Sequence, residues 1–337
     1  MNSYRTEGCT LSGALSVTTA IKDGITLIHG PEGCAHHNSS LLHALMVDSG
    51  RLFAPAILST SLTETEVIFG GEEALEDTIR RAAASEPGVI CVLTSCVSAA
   101  IGDDVRAVCR DFSHLPVVVV PTGGFLGGGF SQGVEEALMA LSDFGEMGEK
   151  TGSVTLIGEK NLEYEVEANY QEVSRLLSLL GISIELRFVR NITATAMKKL
   201  GSSSVNILRD PSLIRVGNFL ESRFGIPFIP GFPVGLEETL VFLETVGKTL
   251  GIDSSRAAAA EKENQHRLIG SFHNFHGRVL SPGGNGPPDQ PVFKELEQIF
   301  DISFEDHGKP VPIPDPLPVG TSGLSRMLHR WRRICRE

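Results

Sequence analysis

Residues 88–96 read GVICVLTSC and residues 116–124 read PVVVVPTGG. In both, Val and Ile run on without polar alternation, the pattern of a strand covered on both faces rather than wet on one. Runs of the same kind occur at ITLIHG (25–30), SVTLIGE (153–159) and VNIL (205–208). Helical patterns such as EALEDTIRRAAA (73–84) and YQEVSRLLSLLG (170–181) lie between them. Strands that alternate with helices make βαβ units and parallel sheets, so the fold class expected is α/β, with two doubly wound, Rossmann-like parallel-sheet domains.

Working outward, the polar, Gly-containing FGEMGEKTGS (144–153) marks a boundary. This gives a first α/β domain over 1–150 and a second over 151–280. Beyond it, SPGGNGPPDQP (281–291) and KPVPIPDPLP (309–318) read as extended linker with polyproline II character. Residues 281–337 are therefore expected as a short Pro/Gly-rich linker and C-terminal tail in place of a third domain. The last stretch, LSRMLHRWRRICRE (324–337), forms an amphipathic helix with Leu324, Met327, Leu328, Trp331 and Ile334 on one side, docked on its own core or on a partner.

The chain has 337 residues, enough for two cores, and a formal net charge of −12. That charge argues against a nucleic-acid partner, which demands clustered Lys and Arg. The first residues, MNSYRTEGCT, lack the basic and apolar regions of a signal peptide. No run of about eighteen apolar residues offers a membrane span. A cytoplasmic location is expected, and there six cysteines are poor disulfide formers.

Three of those cysteines fall at ends of elements. Cys34 follows ITLIHG through the turn PEG, Cys96 ends GVICVLTSC, and Cys9 precedes the helical TLSGALSVTTA. Ligands of open α/β sheets gather at the carboxyl ends of the strands, so one rim can bring the three thiols together. Neighbouring glycines let backbone amides approach sulfur. The spacing alone, 25 and then 62 positions, lacks the close CxxC pairs of zinc sites and leaves a metal site and plain structural thiols both open. Cys91 and Cys109 read as buried structural thiols, and Cys335 as irrelevant.

Other groups read more plainly. His36 and His37 are either iron ligands or a polar loop beside the site. His266, His273 and His276 are expected on one side of a helix over HRLIGSFHNFHG. Glu64, Glu66, Glu72, Glu73, Asp103 and Asp104 read as helix caps and first-turn carboxylates. GGFLGGG lacks the GK[ST] ending of a P-loop, so ATP hydrolysis by this chain is not expected.

The motifs around the cysteines carry a more specific signal. CTLSGA from Cys9, HGPEGC ending at Cys34, STSLTETEVIFGGEEAL from Ser59 and TSCVSAAIGDDV from Thr94 resemble, in order and interval, the successive signatures of the nitrogenase component 1 superfamily. PTGGFLGGG from Pro121, LIGEKNL from Leu156 and ESRFGIPFIPGFPVG from Glu221 extend the resemblance to about residue 250. It implies that Cys9, Cys34 and Cys96 hold an iron–sulfur cluster, [4Fe–4S] or a larger P-cluster-like one. Three thiolates fall one short of the four a cube takes, so a homodimer or a related component 1 subunit would share it. A separate iron-protein ATPase would deliver electrons.

The resemblance has one departure. Where catalytic nitrogenase subunits carry a cofactor-ligating cysteine, SSSVNILRDPSLIRVGNFLESRFGIP (202–227) has none, and Arg209 or a neighbour stands there. Dinitrogen reduction is thus not expected. The function implied is an iron–sulfur oxidoreductase subunit reducing a bound substrate, such as the tetrapyrrole of related reductases. The alternative is a non-catalytic scaffold for assembly or transfer of a complex iron–sulfur cofactor, and a third reading is a metal-free subunit that stabilises a partner.

Overall fold

The structure, a computed structural model, describes residues 8–48, 55–161, 163, 165–282 and 290–335. Its first elements are α1 (Thr10–Thr18), β1 (Gly24–His29), α2 (Glu32–Asp48), β2 (Ala56–Ser59), α3 (Glu64–Phe69), α4 (Glu72–Ala83), β3 (Val89–Thr94), α5 (Cys96–Ile101), α6 (Val105–Asp111), β4 (Val117–Val120) and α7 (Phe130–Leu141). There follow β5 (Val154–Ile157), α8 (Val166–Leu179), β6 (Ile184–Phe188), β7 (Val205–Leu208), α9 (Ile214–Phe224) and β8 (Phe228–Ile229). The chain continues with α10 (Glu237–Leu250), α11 (Ser255–Ser271), β9 (Val279–Ser281), α12 (Pro291–Phe300), β10 (Ser303–Phe304), β11 (Lys309–Pro310) and α13 (Gly320–Ile334).

The Val/Ile runs are strands of parallel sheets. The first sheet has the order β2-β1-β3-β4, with β1 and β3 at its centre. Its two faces bury separate apolar clusters. Ile28, Cys91, Leu93 and Val120 meet α1 and α7 on one side, and Leu27, Ile90 and Val92 meet α4 and α6 on the other. Burial on both faces is the reason these strands read as unbroken apolar runs. The second sheet, β6-β5-β7-β8, pairs β5 with β7 and β7 with β8 in parallel.

The chain divides into two compact units, residues 1–162 with 185–230 and residues 163–184 with 231–337. Both four-stranded sheets lie in the first unit. The boundary expected at 150/151 falls between them, yet one continuous apolar cluster runs from Leu138 and Leu141 of α7 to Ile157, Phe188 and Leu208 of the second sheet.

The second unit corrects the expectation for 281–337. Residues 283–289 of SPGGNGPPDQP and 336–337 lie outside the described residues, but residues 290–335 are folded rather than linker and tail. β9 pairs with β10 and β11 in a small parallel sheet. The proline run is extended, as fixed φ angles require, and packs as it goes. Val311 is buried, and Trp331 donates from Nε1 to the Pro312 carbonyl at 2.8 Å. Leu324, Met327, Leu328 and Trp331 bury the amphipathic face of α13 among Phe275, Phe293 and Phe304. The helix expected over 266–277 stops at Ser271 and gives way to a short 3-10 turn, so His266, His273 and His276 share no helical face.

Candidate functional site

Each of the three cysteines starts a helix. Cys9 is the N-cap of α1, extended at φ −93°, ψ 178°, and its backbone forms an isolated antiparallel bridge with Gly129. Cys34 sits in the first turn of α2, its amide donating to Pro31 O at 3.0 Å. Cys96 is the first residue of α5, just after the N-cap Ser95. Helix N-termini present unpaired amides and positive dipole ends, which favour negative charge at sulfur.

Hydrogen bonds join the three starts. Ser95 and Ser98 form a capping box, and both the Ser95 amide, at 3.0 Å, and the Ser98 hydroxyl, at 2.8 Å, donate to His29 O. The end of β1, which leads to Cys34, is thereby fixed to the start of α5. Gly30 makes room for this, since a Cβ there would fall 2.4 Å from Ser95 Oγ. The loop PTGGFLGGG closes the other side. Thr10, next to Cys9, donates its hydroxyl to Thr122 O at 2.5 Å and Gly124 O at 2.6 Å. Gly124 itself, at φ +55°, lies so near Cys96 that a Cβ would fall 2.7 Å from the Cys96 amide nitrogen.

The thiols feel one another. Burial first, then the neighbouring Cys96 and Cys9, push the Cys34 thiol above its ordinary value. The structure thus brings together all three cysteines singled out in the sequence, with Cys9 buried and the other two half-buried. Among the described residues no trio of His, Cys, Asp or Glu closes tightly enough for a single metal ion. Cys91 and Cys109 lie apart in the core, where burial pushes their thiols up to about 12 and about 11. His36 and His37 are exposed on α2.

Of the carboxylates, Glu66 completes a capping box with Thr63, and Asp104 caps α6 by accepting from the Ala107 amide at 2.9 Å. Asp103 does something else. Its carboxylate accepts from the Gly71 amide at 3.0 Å and meets His29 Nε2 at 2.8 Å, while His29 Nδ1 lies 3.2 Å from Thr60 Oγ1. Burial pulls His29 below its ordinary value, against the opposing pull of Asp103. This buried pair ties the end of β1, the turn before α4 and the turn after α5 into one frame. Sequence reasoning placed Asp103 among the caps and passed over His29; a polar residue ending an otherwise apolar run was the one available signal.

Two exposed apolar pairs lie on elements that flank α5. α3 packs beside α5, and α5 beside the 3-10 turn at Gly124–Leu126. Ile68 and Phe69 of α3 are 72% and 82% exposed, and Phe125 and Leu126 of the turn 76% and 69%.

The family described as nitrogenase component 1 type oxidoreductase matches residues 9–279. Nitrogenase iron-molybdenum cofactor biosynthesis protein NifE of Clostridium pasteurianum is 30% identical over 251 residues, which cover 72% of this chain and 54% of that protein. The nitrogenase molybdenum-iron protein alpha chain of Methanococcus maripaludis is 26% identical over 313 residues, 86% of this chain and 65% of that one. The chain thus spans between about half and two thirds of the length of these relatives. A solved structure titled nitrogenase Cp1 at pH 5 superimposes with a TM-score of 0.69 over 88% of this chain and 63% of that chain, at 21% identity, a likeness of fold.

Proposed function

This chain belongs to the nitrogenase component 1 type oxidoreductase family, and from that premise we propose that Cys9, Cys34 and Cys96 hold an iron–sulfur cluster in a subunit that assembles or transfers a complex iron–sulfur cofactor. The observation that carries the reading is the convergence of three free thiols at three helix starts, where burial first and then the neighbouring Cys96 and Cys9 raise Cys34.

The residues present suit the group. Mutual repulsion among three thiolates is relieved by iron, whose ligands they are, and Gly124 leaves the Cys96 backbone uncrowded. When bound, the cluster supplies one-electron redox capacity. The chain's own part is to fix the sulfurs and place helix starts beside them, and Phe125 and Leu126 would exclude water once a partner covers them. A fourth thiolate then comes from a second copy or a related component 1 chain, and the apolar rim at Ile68, Phe69, Phe125 and Leu126 is a surface that such a chain, or an iron-protein ATPase, would cover.

Scaffolding leads because NifE-type cofactor-biosynthesis proteins are prominent among the relatives. The second reading, a substrate-reducing oxidoreductase subunit, is favoured by the similarity to molybdenum-iron protein alpha chains. Neither the relatives' names nor the residues of the site point to a tetrapyrrole.

Anaerobic purification with iron and sulfide analysis and electron paramagnetic resonance tests the cluster. Cys34→Ser and Cys96→Ser should lose most of the bound iron, and Cys91→Ser should keep it. Colourless, iron-free protein after anaerobic reconstitution overturns the proposal. Turnover with reductant, ATP and an iron protein separates the oxidoreductase from the scaffold, which only gains and loses its cluster.

A further inference from the structure

β4 forms one edge of the first sheet, paired with β3 in the register Ile90↔Val117 to Leu93↔Val120. Both of its faces are covered. Val118 and Val120 pack on the cluster beneath α1 and α7, and Val117 and Val119 on the one beneath α4 and α6. What remains is the outer edge, along which a strand presents N–H and C=O groups to whatever lies beside it. Protected edges carry a charge, a proline or a bulge; here prolines stand only at the two ends, Pro116 and Pro121, and the four β-branched residues Val117–Val120 between them carry none of these.

This edge lies at the floor of a groove of about 1090 Å³ walled by α6 and α7. Met139 and Phe144 make one wall apolar. The charges are unequal in kind. Glu136 is bonded to Arg215 at 3.0 Å, Asp143 to Arg223 at 2.6 Å, and Asp104 to the Ala107 amide. Arg106 and Arg110 of α6 are exposed and form no ion pair among the described residues.

We propose that this groove takes an extended segment of another polypeptide, which adds as a strand beside β4 and sets acidic side chains against Arg106 and Arg110. Main-chain pairing would give the affinity, and the arginines the choice of sequence. A second copy of this chain fits poorly. Two-fold pairing of β4 with itself sets α6 beside α6, arginine against arginine.

The test uses the full chain and a fluorescein-labelled octapeptide alternating valine and glutamate. Binding should fall at least tenfold when alternate peptide nitrogens are methylated, and the Val119 amide should gain protection from hydrogen exchange when the peptide binds. The double variant R106E/R110E should lose the valine–glutamate peptide and acquire one alternating valine and lysine. Equal binding of the methylated peptide, or indifference of both peptides to the charge reversal, overturns the proposal. So does protection of Val119 that rises with protein concentration in the absence of peptide, which marks self-association instead. None of these measurements involves iron, so the outcome is independent of the cluster reading.

Discussion

At the residue scale, the site depends on positions where one atom more or less matters. Gly124 is at positive φ and faces the Cys96 backbone, so a methyl group there meets both left-handed strain and a clash with an atom that cannot rotate away. Gly124→Ala should cost about 1–2 kcal/mol and lower iron loading through displacement of Cys96. Unfolding in denaturant and iron analysis of the purified variant read the two effects. The adjacent aspartates give a sharper contrast. Asp103→Ala leaves His29 Nε2 and the Gly71 amide without their acceptor and should cost about 3 kcal/mol. Asp104→Asn keeps a capping oxygen at α6 and should be nearly neutral in the same denaturation experiment. In the sequence the two residues are indistinguishable, because IGDDV does not say which carboxylate turns inward.

At the element scale, the second unit is held by a buried ionic network rather than by apolar packing alone. Arg175 of α8 bonds Glu172 of the same helix at 2.8 Å and Glu261 of α11 at 2.7 Å. Glu172 also accepts from the amide and hydroxyl of Ser322 in the first turn of α13, and Glu261 accepts from Thr321. Burial alone would raise the Glu172 carboxyl, but hydrogen bonds from Arg175 and Ser322 outweigh it and hold the group below its ordinary 4.5. A carboxylate lowered by folding adds stability that is fully present above its unfolded value and disappears as pH falls through the folded one. Thermal melting of the second unit should therefore be level near neutrality and drop below about pH 4.5. Glu172→Gln should flatten that drop and cost about 2 kcal/mol at pH 7. The amphipathic stripe of α13 was legible in the sequence, since Leu324, Met327, Leu328 and Trp331 recur at helical spacing. That Glu172 waits at its N-terminus, 150 positions away, was not.

At the scale of the whole molecule, the proposed sharing of a cluster between chains would link iron to association. With a second copy as the partner, anaerobic iron loading should bring two chains together, seen as a doubled mass in sedimentation. Charges placed at the rim by I68E/F69E should weaken that association by at least tenfold, about 1.4 kcal/mol, while the isolated chain keeps its helical content. Ile68 and Phe69 are exposed in the single chain, so this variant leaves its core intact.

By itself the sequence determined the parallel α/β architecture and the three thiols that gather at one rim. Strands covered on both faces must be written as uninterrupted Val/Ile runs, and glycine must stand where the loop passes against the Cys96 backbone, at Gly124. Both demands are local and leave a local trace. Only the tertiary structure decided that both sheets share a unit, that residues 290–335 fold with α8, α10 and α11 instead of trailing as a tail, and that Asp103 is a buried partner of His29. Those outcomes depend on which surfaces meet across long stretches of chain. An amphipathic pattern states that a face will be buried; it does not state against what.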